Sequence, residues 1–229
     1  MQSNGITDVF FDLDHTLWDF DRNSGLAFQR VFKKHKIELP LPDFLREYEP
    51  INLEYWKKYR ENRVTKEELR RGRLTEAFDS FKINYPLETI DQLAHCYIEE
   101  LPIDNHLFIG AVEILDYLSQ KYKLHIITNG FEEVQYLKLQ NSGIRKYFST
   151  VTTSEEAGLK KPHSLIFEMA LSKATVNPLK SVMIGDSFEA DIIGAKNVGM
   201  HTLFFNYRKE TVSEPTFVIH ELSEIKNHL

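Results

Sequence analysis

Asp12 and Asp14 stand two residues apart at the end of an apolar run, Val9-Phe10-Phe11, and the hydroxyl of Thr16 follows them. Such a run predicts a buried strand over residues 6–13, and residues two apart in a strand point to the same side. The two carboxylates can therefore share one site at the strand's C-terminal end, where open α/β sheets bind ligands. Crowded carboxylates repel each other and need a cation or a shared proton. An all-oxygen set of this kind suits a hard cation such as Mg2+. Read alone, the same residues also describe a strand running into an Asp-rich turn.

Three later segments carry further candidate chemistry. Leu124-His125-Ile126-Ile127 runs into Thr128-Asn129-Gly130, where a hydroxyl and the backbone N–H groups of a helix start could take phosphate oxygens. Lys160-Lys161-Pro162 precedes a helical pattern, and the proline restricts Lys161 to an extended conformation that aims its side chain. Val182-Met183-Ile184 ends in Gly185-Asp186, with Asp191 about a helical turn beyond. Gly185 permits a close approach of backbone to ligand. Each segment has a plainer counterpart: an N-cap with a turn glycine, a solvated lysine pair, and an aspartate capping a helix.

The elements that must position these residues follow from hydrophobic periodicity. Residues 21–101 read as helical throughout, with Phe28, Val31 and Phe32 at helical spacing and a Thr65/Glu68 capping box opening a helix that carries Leu69, Leu74, Phe78 and Phe81. After Pro102 strands and helices alternate: helix 111–120, strand 124–128, helix 131–142, strand 149–152, helix 165–174, strand 181–185, helix 191–198, strand 201–205, and an edge strand at 217–219 before a polar C-terminal helix. That alternation predicts an α/β fold, a doubly wound Rossmann-like parallel sheet with an inserted all-helical cap. Residues 1–20 with 102–229 would form the core and 21–101 the cap. Parallel strands bring their C-terminal ends together, so Asp12, Asp14, Thr128, Lys161, Asp186 and Asp191 would meet at one sheet edge.

Composition narrows the partners. The 229 residues carry a net charge of −6 from 28 basic and 34 acidic side chains, which argues against long nucleic acid, whose binding needs a basic footprint. A small phosphorylated molecule needs only a few local cations. No apolar run is long enough for a membrane span, and the first five residues lack a signal-peptide pattern. Cys96 is the single cysteine, which excludes an intramolecular disulfide, suits a cytoplasmic location and reads as helix packing.

In chain order the segments DLDHT, ITN, KKP and GDSFEAD resemble the four motifs of the haloacid dehalogenase (HAD) superfamily of phosphohydrolases, and the resemblance spans essentially the whole chain. It implies a Mg2+-dependent phosphatase that hydrolyses phosphate monoesters through an aspartyl-phosphate. Asp12 would be the nucleophile and Asp14 the general acid and base. Thr128 and the N–H of Asn129 would hold phosphoryl oxygens, and Lys161 would neutralise charge on nucleophile and phosphoryl group. Mg2+ would be held by Asp12, the backbone carbonyl of Asp14, and Asp186, with Asp191 orienting that set. Members that dehalogenate lack an acid at the position of Asp14, since halide leaves without a proton. A receiver domain also uses a phosphorylated Asp, a metal and a lysine, but it has no helical insertion.

The run Leu17-Trp18-Asp19-Phe20-Asp21-Arg22-Asn23-Ser24, with Thr128-Asn129-Gly130-Phe131, is most similar to bacterial pyrimidine-nucleotide 5'-nucleotidases of this superfamily, which implies nucleoside 5'-monophosphates as substrates. Trp18 and Phe20 would then offer an aromatic wall to a base, or else pack a hinge. Arg73, or Arg70, would face the cleft beside Gly72, or else belong to a solvated basic face. The alternatives are a phosphatase for phosphoglycolate or a sugar phosphate, a phosphosugar mutase, and a non-enzymatic binding protein, the last opposed by the intact acid, lysine and metal carboxylates.

Overall fold

β1 (Asp8–Phe11) lies inside a six-stranded sheet, flanked on one side by β2 (Lys123–Thr128) and β3 (Phe148–Thr153) and on the other by β4 (Ser181–Gly185), β5 (His201–Phe205) and β6 (Phe217–Ile219). Every pairing is parallel, with Phe11 opposite Ile126 on β2 and Ile184 on β4. All four residues of β1 are buried, as a strand covered on both faces must be. The order β3-β2-β1-β4-β5-β6 reverses direction between β1 and β4, and a crevice opens beyond the strand ends at such a switch point. The computed structural model describes residues 5–212 and 216–229. Residues 1–4, most of the stretch read above as lacking a leader, lie outside them.

The chain divides into two compact units, Met1–Phe20 with Asn105–Leu229, and Asp21–Asp104. The second is built from α1 (Phe20–His35), α2 (Leu41–Arg60), α3 (Lys66–Asp79) and α4 (Leu87–Glu100). Thr65 and Glu68 form the expected capping box at α3, the Thr65 hydroxyl accepting from Glu68 N at 3.1 Å and Glu68 accepting from Thr65 N at 2.7 Å. Its core is aromatic: Phe28 stacks on Tyr97 at 4.3 Å and meets Phe44 and Tyr48 edge-on at 5.0 and 4.6 Å. Gly72 is explained by close packing, because a Cβ there would lie 2.3 Å from the Tyr55 ring of α2.

The sheet unit adds α5 (Ala111–Ser119), α6 (Glu132–Asn141), α7 (Ser154–Ala157), α8 (Ser164–Ala174) and α9 (Gly194–Asn197). One core cluster joins Phe10, Ile127 and Met183 of the central strands to Ile166, Phe167, Ala170 and Leu171 of α8 and Ala195 of α9. The helix expected over 191–198 is instead a π-helical turn, Phe188–Ile193, running into the short α9. The polar C-terminal helix is a 3-10 helix, Leu222–Asn227. Among the described residues no helix is long and apolar enough to cross a membrane.

At the start of the sheet His125 stacks on Phe10 and bonds Asp8 Oδ1 at 2.9 Å and Thr150 Oγ1 at 2.8 Å. Burial holds its pKa below the usual 6.5, against the pull of Asp8. The unfolded chain therefore takes up this proton first, so stability is complete above pH 6.5 and is lost as the pH falls below it. Thermal melts between pH 7.5 and 5 are expected to show that loss, with a shallower slope in His125→Gln.

Candidate active site

Asp12 is the first residue beyond β1, its backbone N–H still bonded to Ile184 O of β4 at 2.9 Å. This pairing fixes the carboxylate at the switch point. Lys161 Nζ donates to Asp12 Oδ1 at 2.6 Å and to Ile127 O of β2 at 2.8 Å, and lies 2.7 Å from Asp191 Oδ1. Lys161 is 2% exposed, so it is a buried cation and not one of a solvated pair. Burial works against its charge, but Asp12 and Asp191 outweigh burial and hold the ammonium above its ordinary pKa. Each of Asp12, Asp186 and Asp191 offers an oxygen, and these lie within 4.8 Å of one another. Burial lifts the Asp12 carboxyl to about 7 against the opposing effect of Lys161, with Asp191 adding to the rise. Burial, then Asp12 and Asp191, push Asp186 well above the usual carboxylate range.

The Thr-Asn-Gly segment is a tight turn and not the helix start expected of it. α6 begins only at Glu132, and Thr128 Oγ1 accepts from Gly130 N at 3.1 Å in a tight turn. The Asn129 side chain pairs with the Lys161 backbone, Nδ2 donating to Lys161 O at 3.0 Å and Oδ1 accepting from Lys161 N at 2.8 Å. Asn129 thus ties the loop after β2 to the lysine loop, which sets where Lys161 enters the site. Gly185 likewise makes room for a side chain: a Cβ there would lie 2.2 Å from Asp191 Oδ2. That oxygen accepts from Ser187 N at 3.0 Å.

Asp14 has two donors that the sequence reading missed. Gln135 Nε2 donates to its Oδ2 at 2.9 Å and Lys138 Nζ to its Oδ1 at 2.6 Å. Both donors sit on buried positions of α6, three residues apart and so on one face. The signal was present in that spacing, between the apolar Val134 and Leu139. The Lys138 ammonium also lies 4.1 Å from the Trp18 ring centroid and 5.1 Å from that of Phe20.

This arrangement corrects the aromatic-wall expectation. Trp18 is fully buried and Phe20 is 7% exposed, and the Trp18 Nε1–H donates to Asn105 Oδ1 at 3.3 Å. These rings receive a protein cation, which leaves no open wall for a base. Arg73 is corrected too. It lies inside the helical unit, 2% exposed, with Nη1 donating to Asn52 at 2.9 Å and the guanidinium 5.1 Å from the Tyr97 ring. Arg71 pairs with Asp91, and Arg70 lines a groove of about 330 Å³ between α3 and α4.

Residues 9–205 match the family model of the haloacid dehalogenase-like hydrolases. The chain belongs to that family. The hydrolase is 34% identical over 226 residues to the pyrimidine 5'-nucleotidase YjjG of Escherichia coli (strain K12), covering 96% of each chain. It is 30% identical over 222 residues to the pyrimidine 5'-nucleotidase PynA of Streptococcus pneumoniae (strain ATCC BAA-255 / R6), covering 95% of this chain and 92% of the relative. A glyceraldehyde 3-phosphate phosphatase of Pyrococcus abyssi (strain GE5 / Orsay) is 34% identical over 203 residues, 88% of this chain and 82% of the relative. The solved structure of the HAD-hydrolase YfnB of Bacillus subtilis bound to magnesium superposes with a TM-score of 0.89 at 27% identity, covering 97% and 98% of the two chains. The L-2-haloacid dehalogenase of Xanthobacter autotrophicus shares the fold, with a TM-score of 0.74 at 18% identity and 97% of each chain covered.

The acidic cluster of the hydrolase fits a hard divalent cation. Three carboxylates face the buried Lys161 and Arg208, whose Nη1 is 3.9 Å from Asp186 Oδ2, so negative charge remains. The available donors are all oxygens, as Mg2+ prefers, and a cation would offset the burial and the mutual repulsion that together raise Asp12 and Asp186. Gly185→Ala is expected to weaken divalent-cation binding roughly 10–100-fold by displacing Asp191, which titration calorimetry would measure.

Proposed function

We propose that this hydrolase is a Mg2+-dependent phosphatase of small phosphate monoesters, acting through an aspartyl-phosphate on Asp12, with pyrimidine nucleoside 5'-monophosphates as its substrates. The observation that carries the reading is the Asp12 carboxylate, paired with buried Lys161 inside a three-carboxylate cluster and followed two residues later by the separate carboxylate of Asp14. Similarity over nearly the full length to two pyrimidine 5'-nucleotidases supports the substrate class.

A carboxylate of Asp12 attacks phosphorus, and the bond from phosphorus to the ester oxygen breaks. Asp14 gives its proton to the departing oxygen, then takes one from the water that attacks phosphorus and frees Asp12 with inorganic phosphate. Lys161 holds the nucleophile in place and offsets charge on the transferring phosphoryl group. Thr128 and the N–H of Asn129 bind phosphoryl oxygens. Asp12, Asp186 and the backbone carbonyl of Asp14 would hold Mg2+, with Asp191 anchoring Lys161 beside them. When bound, the cation screens the repulsion between anionic nucleophile and anionic ester.

Phosphate release from a panel of nucleoside monophosphates, sugar phosphates and glyceraldehyde 3-phosphate, with and without Mg2+, tests both levels. Preference for pyrimidine monophosphates, lost on chelation, is the expected result. Turnover confined to sugar or triose phosphates would keep the chemistry and replace the substrate class, as the similarity to glyceraldehyde 3-phosphate phosphatase allows. No metal-dependent release from any compound would overturn the phosphatase reading.

A further inference from the structure

We infer that Lys138, with Gln135 beside it, is a positioning residue for catalysis that holds the Asp14 carboxylate in one fixed orientation. The inference rests on the role given to Asp14 above and extends it to residues outside the four motifs. Lys138 Nζ donates to Asp14 Oδ1 at 2.6 Å and Gln135 Nε2 to Oδ2 at 2.9 Å, so each carboxylate oxygen has its own donor. Each oxygen keeps a further lone pair for a reacting group. The Asp14 side chain is 20% exposed and that of Lys138 only 1%. The carboxylate therefore reaches the open side of the pair while the cation stays behind it.

Stability alone gives little reason for this lysine. Burying an ammonium carries a large desolvation cost before its partner compensates, and an apolar pair of similar volume is often as stable or more so. α6 already buries Val134 and Leu139 around it, and a methionine would fill the same space against Trp18. The surroundings are also arranged for a cation. The ammonium lies 4.1 Å from the Trp18 ring centroid, a contact that favours positive charge at that point. Gly130 leaves room for Gln135, since a Cβ at Gly130 would lie 1.8 Å from Gln135 Nε2. Glycine, tryptophan, glutamine and lysine thus converge on one carboxylate.

Positioning of an acid has a signature that plain packing lacks. Departure of an alkoxide needs a proton, whereas p-nitrophenolate leaves with little help. kcat/KM reports the steps up to release of the leaving group, so it isolates that difference. Lys138→Met should lower kcat/KM for a nucleoside 5'-monophosphate by on the order of 10²-fold and for p-nitrophenyl phosphate by far less, as Asp14→Asn should. Gln135→Met should show the same pattern more weakly, and it carries the comparison if Lys138→Met does not fold. Equal losses on both substrates, or none on either, in a folded variant would overturn the role of Lys138 while leaving the site reading intact. If Asp14→Asn itself shows no dependence on the leaving group, the reading of Asp14 fails and this inference fails with it.

Discussion

Asp12→Asn is expected to abolish phosphate release, by roughly 10⁵-fold or more, as loss of a nucleophile does in enzymes that form covalent intermediates. An amide keeps the size of the carboxylate and cannot form the acyl phosphate. The same change should make the metal-free protein more tolerant of alkaline pH. Burial raises the folded-state pKa of Asp12 to about 7 from an ordinary 3.8. The folded protein therefore holds this proton when the unfolded chain has lost it. The associated stability is complete below pH 3.8 and is lost as the pH rises to about 7. Chelated wild-type protein should lose melting temperature across that interval, and Asp12→Asn should lose less of it. An inactive variant that melts higher than the wild type at pH 8 would separate catalysis from folding in a single preparation.

Lys161→Met should damage both activity and stability. Its ammonium touches Asp12 and Asp191 and is 2% exposed, so its removal leaves buried carboxylates uncompensated. Breaking one side of a buried pair in this way costs about 3–5 kcal/mol. The loss should be largest at alkaline pH and shrink toward pH 5, where Asp12 and Asp186 take up protons. Mg2+ should restore part of the melting temperature by neutralising the same carboxylates, without restoring turnover. Denaturant melts at pH 5 and 8, with and without Mg2+, give the four numbers needed. A variant as stable as the wild type at pH 8 would mean that the carboxylates are discharged by something other than Lys161.

The parts of the site written as consecutive residues were legible in the sequence. Asp12, Asp186 and the turn at Thr128 each follow an apolar strand, so strand periodicity and one rule of parallel sheets bring them together. Lys161 was legible by its place before Pro162, although its burial was not: lysine side chains read as solvated until their partners are known. Lys138 and Gln135 were missed because α6 mixes polar and apolar residues on its buried side, which hides a helical stripe. The aromatic type of Trp18 and Phe20 fits a ligand wall and hinge packing alike, and does not reveal which neighbour occupies the ring face. That neighbour is Lys138, more than a hundred residues on in the chain. The sequence marks Gly185 as a place of close approach, and the group that approaches is Asp191, which only coordinates reveal. The π-helical turn that carries Asp191 has no period that a sequence reading could detect.

The most direct test of the account is to mix the Mg2+-loaded hydrolase with excess cytidine or uridine 5'-monophosphate, quench in acid within one turnover, and weigh the intact protein and its peptides by mass spectrometry. The account predicts one phosphoryl group on the peptide that carries Asp12, absent from Asp12→Asn and lost on neutralising the quenched sample with hydroxylamine. A phosphoryl adduct on another residue, or one that still forms in Asp12→Asn, would contradict it.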